Sequence, residues 1–139
     1  MNIYGIGRAM IDYYLNSKPL EFNSGGFDIS GPIHINGLGF DNLLQLIDKT
    51  NIIRLSGGSC CNALKTLAQL GHFTFFSGTI GDSDIFAEAD FFSRNLAENG
   101  VTFLPYIEKG KTGRCLIYNK DSKKSIVMAA SPEVASKIS

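Results

Sequence analysis

Apolar positions in this chain fall into two spacings. Near-continuous apolar runs, bounded by glycine or polar residues, occupy 2–7, 73–77 and 101–107, the pattern of short buried strands. Residues 10–15 form another extended run with Asp12 inside it, and 52–55 run as a short strand into the pair Gly57-Gly58. Between these runs, apolar residues recur every three or four positions. Leu43, Leu44 and Ile47 do so within 40–49, with Asp41 near the start. Cys61, Leu64, Leu67 and Ala68 do so after Gly58, and Ile85, Ala89, Phe92 and Leu96 do so before Gly100. This spacing predicts three amphipathic helices. Asp84 is predicted to cap the start of the third and Gly71 to close the second. Gly78 and Gly81 predict a turn after the 73–77 strand.

Strands that alternate with helices predict parallel βαβ units and an α/β fold. Two features break the alternation. One is the run at 10–15. The other is the pair 115–118 and 125–128, which flanks the polar stretch 119–124 and reads as a hairpin, with Lys123-Lys124 as a solvated turn. Together they predict a small second sheet. Residues 16–39 are too rich in Asn, Ser, Gly and Pro for a helix, with 32–35 as a short edge strand. Ser131 and Pro132 start a further helix.

Composition narrows the function classes. A chain of 139 residues is long enough for one domain with its own core. Its 13 basic and 13 acidic residues leave no surplus that would mark a nucleic-acid surface. No apolar run reaches the length of a membrane span, and 1–15 carries Arg8 and Asp12 where a signal peptide would be apolar. Cys60 and Cys61 are adjacent and Cys115 is the third cysteine, which is not a disulfide framework and fits a reducing compartment. A cytoplasmic protein is the expectation. His34 and His72 have no ligand spacing with each other or with the cysteines, so no metal site is expected. Gly5-x-Gly7 lacks the third glycine of a dinucleotide fingerprint at Met10. Gly110-Lys111-Thr112 lacks the earlier glycine of a P-loop, where Pro105 stands.

The candidate chemistry lies in Gly57-Gly58, Asn62 and Asp12. Glycine lets the backbone approach a ligand closely, and a helix start offers unpaired N–H groups. Asn62 brings both a donor and an acceptor for hydroxyls. Together these suit a polyhydroxylated ligand, and they equally suit a tight strand-to-helix turn with Asn62 as a local helix-start residue. Asp12 also has two readings. A carboxylate inside an apolar strand is costly unless it is paired or faces a polar cavity, where it accepts two hydroxyls. On an edge strand it is simply exposed.

Gly57-Gly58-Ser59, Asn62, Gly71 and Gly81 resemble, in order and spacing, the first signature of the PfkB carbohydrate kinases, the ribokinase-like family that includes adenosine kinases. Cys60 and Leu64 depart from it, standing where the family has Gly, Ala or Pro and a small residue. The resemblance extends to Gly5 through Asp12, to Asp82, to Asn99-Gly100-Val101 and to Thr112-Gly113. Phe86-Ala87 stands where the family has Phe-Gly.

The resemblance implies a ribokinase-like (Rossmann-like) parallel sheet with flanking helices, incomplete, plus a small β lid built from strands within about 10–55 and 111–129. It implies substrate binding by Asp12, Gly57, Gly58 and Asn62. It further implies phosphoryl transfer from ATP, with Mg2+, to a hydroxyl of a sugar or nucleoside, and Ser59 leans toward a nucleoside. The Gly-Ala-Gly-Asp motif that supplies the family's base and anion hole is absent from 1–139, as is its Asn-x-x-Glu motif. The expectation is therefore the substrate-binding half of a kinase, without catalytic or metal-binding residues and without the C-terminal ATP-binding half. It would be inactive alone and would not hold ATP and Mg2+ tightly. It would associate through its lid strands as a homodimer or with a separately encoded C-terminal half. The alternative is a non-catalytic sugar- or nucleoside-binding or assembly module.

Overall fold

The computed structural model describes residues 1–15, 33–34, 36–45, 52–119, 126–131 and 133–137. In chain order the elements are β1 (Asn2–Ile6), β2 (Met10–Leu15), β3 (Ile33–His34), α1 (Gly37–Gln45), β4 (Ile52–Gly57), α2 (Ser59–Gln69), β5 (Phe73–Gly81), α3 (Glu88–Glu98), β6 (Val101–Glu108), β7 (Gly113–Asn119), β8 (Ile126–Ser131) and a 3-10 turn, Glu133–Ser136. They build two sheets. A body sheet of three parallel strands has the order β1-β5-β6, and a second sheet of five strands has the order β3-β8-β7-β2-β4. β5, α3 and β6 form the expected βαβ unit, since parallel neighbours need a crossover. The expected second sheet is present and mixed. β2 runs parallel to β7 and antiparallel to β4, and β7 pairs antiparallel with β8. The fold is α/β with a parallel sheet and flanking helices.

Several local expectations are corrected. β1 is not buried: Tyr4 and Ile6 are 67% and 69% exposed. Its continuous apolar run reflects an edge position with helices against one face only. β5 does not end at Ser77, and Gly78 and Gly81 lie inside it, because β6 pairs with it as far as Gly81↔Glu108. α3 starts at Glu88 rather than at Ile85, which is exposed. Ala87, at φ 53°, turns the chain into the helix. Asp84 does not sit at the N-cap position. It reaches forward, accepting from the Ala89 N–H (2.9 Å), the Thr112 N–H (2.7 Å) and the Thr112 hydroxyl (2.7 Å). After Ser131 the described residues make a 3-10 turn instead of an α-helix. The strand expected at 32–35 is seen as Ile33–His34, and positions 46–49 of the first helix and the Lys123-Lys124 turn lie outside the described residues.

The core lies where the second sheet meets the helices. Strand alternation sends Ile11, Tyr13 and Leu15 to one face, where they join Phe40, Leu43 and Leu44 of α1 and Leu116 of β7. Under the body sheet, Phe76, Phe92 and Phe103 pack with ring centroids 5.0–5.9 Å apart. α2 ends as its sequence predicts. Gly71 takes φ 91°, its N–H bonds the Ala68 carbonyl (3.0 Å), and the His72 N–H bonds the Leu67 carbonyl (3.1 Å).

A buried ion cluster joins the second sheet to the helices. Arg114 of β7 is 1% exposed. Its guanidinium donates to Asp41 of α1, to Glu88 of α3 (3.2 Å) and to the Gly37 carbonyl (2.9 Å). Lys111 pairs with Asp41 (2.9 Å), and the Tyr13 hydroxyl donates to Glu88 (3.1 Å). Burial pushes the Asp41 carboxyl up, but the bonds from Arg114 and Lys111 outweigh it and hold the group below the usual carboxylate range. Asp41, expected only as a helix-start residue, is thus a core ion partner.

Candidate functional site

The site forms where β4 turns into α2, beside β2. Gly58 is the residue before the helix and sits at φ 100°, with the Arg8 carbonyl where a Cβ would point. At Gly57 a Cβ would collide with the Asp12 carboxylate. Both glycines are therefore required by their surroundings, and Gly57 lets Asp12 lie against the backbone. No side chain caps α2, and the first helical bond is Asn62 N–H to the Gly58 carbonyl (2.9 Å). The first-turn N–H groups are left to the cleft.

A cavity of about 610 Å³ opens at this point, lined by Gly7, Arg8, Met10, Asp12, Gly58, Ser59, Cys60, Asn62, Cys115 and Ile117. Of the four residues singled out in the sequence, Asp12, Gly58 and Asn62 share this wall. Gly57 does not line it; it backs the Asp12 carboxylate. Asn62 is exposed at the mouth. Among the described residues, no hydrogen bond is made to the Asp12 carboxylate or to the Asn62 amide, so both remain available to a ligand.

Asp12 is half-buried, and desolvation pushes its carboxyl up to about 6 against the opposing pull of the Lys65 ammonium. Lys65 is itself held by the Ser56 carbonyl (2.6 Å), and Ser56 is bound through its N–H and hydroxyl to Asn95 of α3 (2.9 and 2.6 Å). This bracing sits directly behind Gly57. Burial pushes the Cys115 thiol up to about 11, with Asp12 adding to the shift, and burial also raises Cys60. Both therefore act as apolar wall rather than as nucleophiles.

The sheet register explains the rest of the wall. Asp12 lies between Leu55 of β4 and Cys115 of β7, and Tyr14 lies between Ile53 and Ile117. All six share the face turned away from the core. Tyr14, Ile53 and Leu55 are 36%, 51% and 40% exposed, so the lone carboxylate stands in an open apolar platform. Thr112 is not on this wall. It is fully buried, with its hydroxyl accepting from the Gly81 N–H (2.9 Å). Asp82 is equally remote, taking the Gly110 N–H (3.0 Å) and the Ser83 hydroxyl (2.7 Å), which hold its carboxyl low.

Cys115 and Ile117 had no signal in the sequence, because their place depends on β2 pairing in parallel with a strand far downstream. Met10 follows from strand alternation with Asp12. Among the described residues no three His, Cys, Asp or Glu side chains converge as a metal site, and no helix is long and apolar enough to cross a membrane.

The sequence matches no protein-family model and no curated protein. The structure does have solved neighbours. Adenosine kinase from Sinorhizobium meliloti superposes with TM-score 0.74 at 19% identity, over 99% of this chain and 41% of that one. A probable sugar kinase from Rhizobium etli superposes with TM-score 0.74 at 16% identity, over 99% and 40%. Adenosine kinase from Schistosoma mansoni in complex with 2-fluoroadenosine superposes with TM-score 0.71 at 14% identity, over 98% and 40%. The fold is that of these kinases, and the chain spans about 40% of their length.

Proposed function

We propose that this chain is the substrate-binding half of an ATP-dependent kinase and that its substrate is a nucleoside. The observation that carries the reading is Asp12, a half-buried carboxylate without a hydrogen-bond partner among the described residues, placed beside Asn62 and the uncapped start of α2. Above its pKa, Asp12 accepts two ligand hydroxyls while Asn62 donates to and accepts from a third. Gly57 leaves room for the Asp12 carboxylate itself, and Gly58 adds no side chain to the cavity wall. Tyr14, Leu55 and Ile117 supply an apolar surface for a flat base, which a free sugar would leave uncovered. The 2-fluoroadenosine complex among the neighbours is consistent with that division of labour. In this reading β2, β4, β7 and β8 are the lid.

The same wall does not fit ATP and Mg2+. Among the described residues Asp12 is its only carboxylate and is already assigned to the substrate, leaving none of them to hold the metal or to take the hydroxyl proton. Activation of that hydroxyl and stabilisation of the transferring phosphoryl group call for groups that this wall does not supply. A non-catalytic nucleoside-binding module is the second reading, favoured by the same missing base.

Calorimetry of the purified chain with adenosine, inosine, ribose and fructose tests the proposal. A nucleoside is expected to bind at least tenfold more tightly than ribose, and Asp12→Asn to weaken it by about tenfold to a hundredfold, the worth of charge-assisted hydrogen bonds. No binding by any nucleoside or sugar, or binding indifferent to Asp12→Asn, would overturn it. With ATP and Mg2+ added, the chain alone is expected to form no phosphorylated product, and turnover would refute the division into halves.

A further inference from the structure

Three elements converge behind the turn that joins β4 to α2. Ser56, the residue before the glycine pair, is buried and has every polar atom engaged. Its N–H and its hydroxyl both donate to the Asn95 side-chain oxygen of α3 (2.9 and 2.6 Å), and its carbonyl accepts from the Lys65 ammonium of α2 (2.6 Å). The same ammonium lies 3.4 Å from the Ser56 hydroxyl oxygen. Lys65 follows Asn62 by three residues, so the two share a flank of the helix one turn apart. The carbonyl that Lys65 holds belongs to the Ser56–Gly57 peptide, and the Asp12 carboxylate lies against Gly57 itself.

A lysine on an amphipathic helix ordinarily sends its ammonium to water. Lys65 is instead half-buried and turned in toward a backbone carbonyl. It makes no ion pair among the described residues, and Asp12 is the carboxyl whose charge it answers. The other ionisable groups around that carboxylate do not take its place. Tyr14 follows on the same face of β2, Cys115 lies opposite on β7, and Cys60 and Cys61 approach from α2. Burial raises all four, so each is neutral at and below pH 8. β4 brings Leu55 and Gly57, which carry no charge, while Arg54 of β4 and Arg114 of β7 face the opposite side of the sheet. Arg8 lines the same cavity but is exposed, where water and salt screen its charge.

We infer that Lys65 is a positioning residue of this site: it fixes the Ser56–Gly57 peptide that backs Asp12 and supplies the positive charge that keeps the hydroxyl-accepting carboxylate ionised. Asn95 anchors the arrangement to α3, which contributes no residue to the described cavity wall. A protonated Asp12 gives up acceptor capacity to its own proton, so the ionised form is the one that receives two hydroxyls. Loss of the Lys65 charge therefore narrows, from the acid side, the pH range in which the site works. The inference rests on the proposed role of Asp12 as hydroxyl acceptor and names the group that sets the working pH of that role.

Carboxyl carbon NMR of the ligand-free chain reads the Asp12 titration directly, with the midpoint expected at about 6 in the wild type. Lys65→Gln keeps a donor for the Ser56 carbonyl and removes the charge, and it is expected to raise the midpoint by about half a unit or more. Lys65→Arg keeps the charge and is expected to hold the midpoint closer to the wild-type value. Far-UV circular dichroism checks that both variants are folded. Calorimetry with adenosine supplies a second readout. Lys65→Gln is expected to weaken adenosine binding about threefold more at pH 5 than at pH 8, the change that half a unit imposes on the ionised fraction. A purely structural role would weaken it equally at both. A midpoint that does not rise in Lys65→Gln, or that rises as far in Lys65→Arg, would overturn the inference, as would an equal loss of binding at the two pH values. A wild type that binds no adenosine would refute the proposed substrate, while the ligand-free titration still decides the place of Lys65.

Discussion

Asp12 shows how one side chain sets the terms for the site. Its carboxyl titrates at about 6 because desolvation outweighs the Lys65 ammonium, whereas in the unfolded chain it titrates near its ordinary value of 3.8. The folded state therefore holds this proton more tightly than the unfolded one. Its contribution favours folding below pH 4, is lost as pH rises through 6, and is constant above that. Asp12→Asn removes the penalty. Thermal melts are expected to show no gain at pH 4 and a gain on the order of 1 kcal/mol at pH 7 and above, after allowance for solvent screening. An unchanged difference between pH 4 and 7 would count against the shifted carboxyl. Asp41 behaves oppositely: its lowered pKa stabilises the fold above the ordinary carboxylate range and is lost in acid. Asp12 was legible in the sequence because a carboxylate interrupts an apolar strand. Its neighbour Cys115 was not, since only pairing between β2 and β7 brings it there.

At the scale of elements, α2 has two glycines with positive φ and unequal surroundings. Gly71 has open space where a Cβ would stand, so Gly71→Ala meets backbone strain alone and is expected to cost about 1 kcal/mol. Gly58→Ala adds a collision with the Arg8 carbonyl, and its cost is expected to exceed that of Gly71→Ala by a further 1 kcal/mol or more, with ligand binding lost as the turn shifts. Chemical denaturation of the two variants measures the difference, and equal costs would remove the case for close packing at Gly58. α2 was legible from end to end because its apolar stripe and closing glycine are local signals. The start of α3 was not, because Asp84 spends its carboxylate on Thr112, 28 residues downstream, as well as on the helix. The length of β5 was hidden for a related reason: pairing with β6 holds Gly78 and Gly81 extended where glycine usually marks a turn.

For the whole molecule, the Arg114 cluster decides how the two sheets are held. It ties β7 to α1 and α3 with two carboxylates around one buried guanidinium. Arg114→Met leaves Asp41 and Glu88 without their shared partner, and unfolding is expected to become easier by about 3 kcal/mol or more. A loss under 1 kcal/mol would show the cluster to be replaceable. The pairing of Met10 with Gly113 has a kinetic consequence. β2 finds β4 nearby in the chain, but its parallel partner β7 lies about 100 residues later, so the loop closed by that contact spans most of the polypeptide. No strand of that sheet near the N-terminus finds its parallel mate during early synthesis. Refolding should then be governed by this late closure, on a timescale of milliseconds to seconds, as for chains rich in distant contacts. The platform around Asp12 becomes the last part of the molecule to exist, so a ligand bound there is expected to slow unfolding and to leave the refolding rate unchanged.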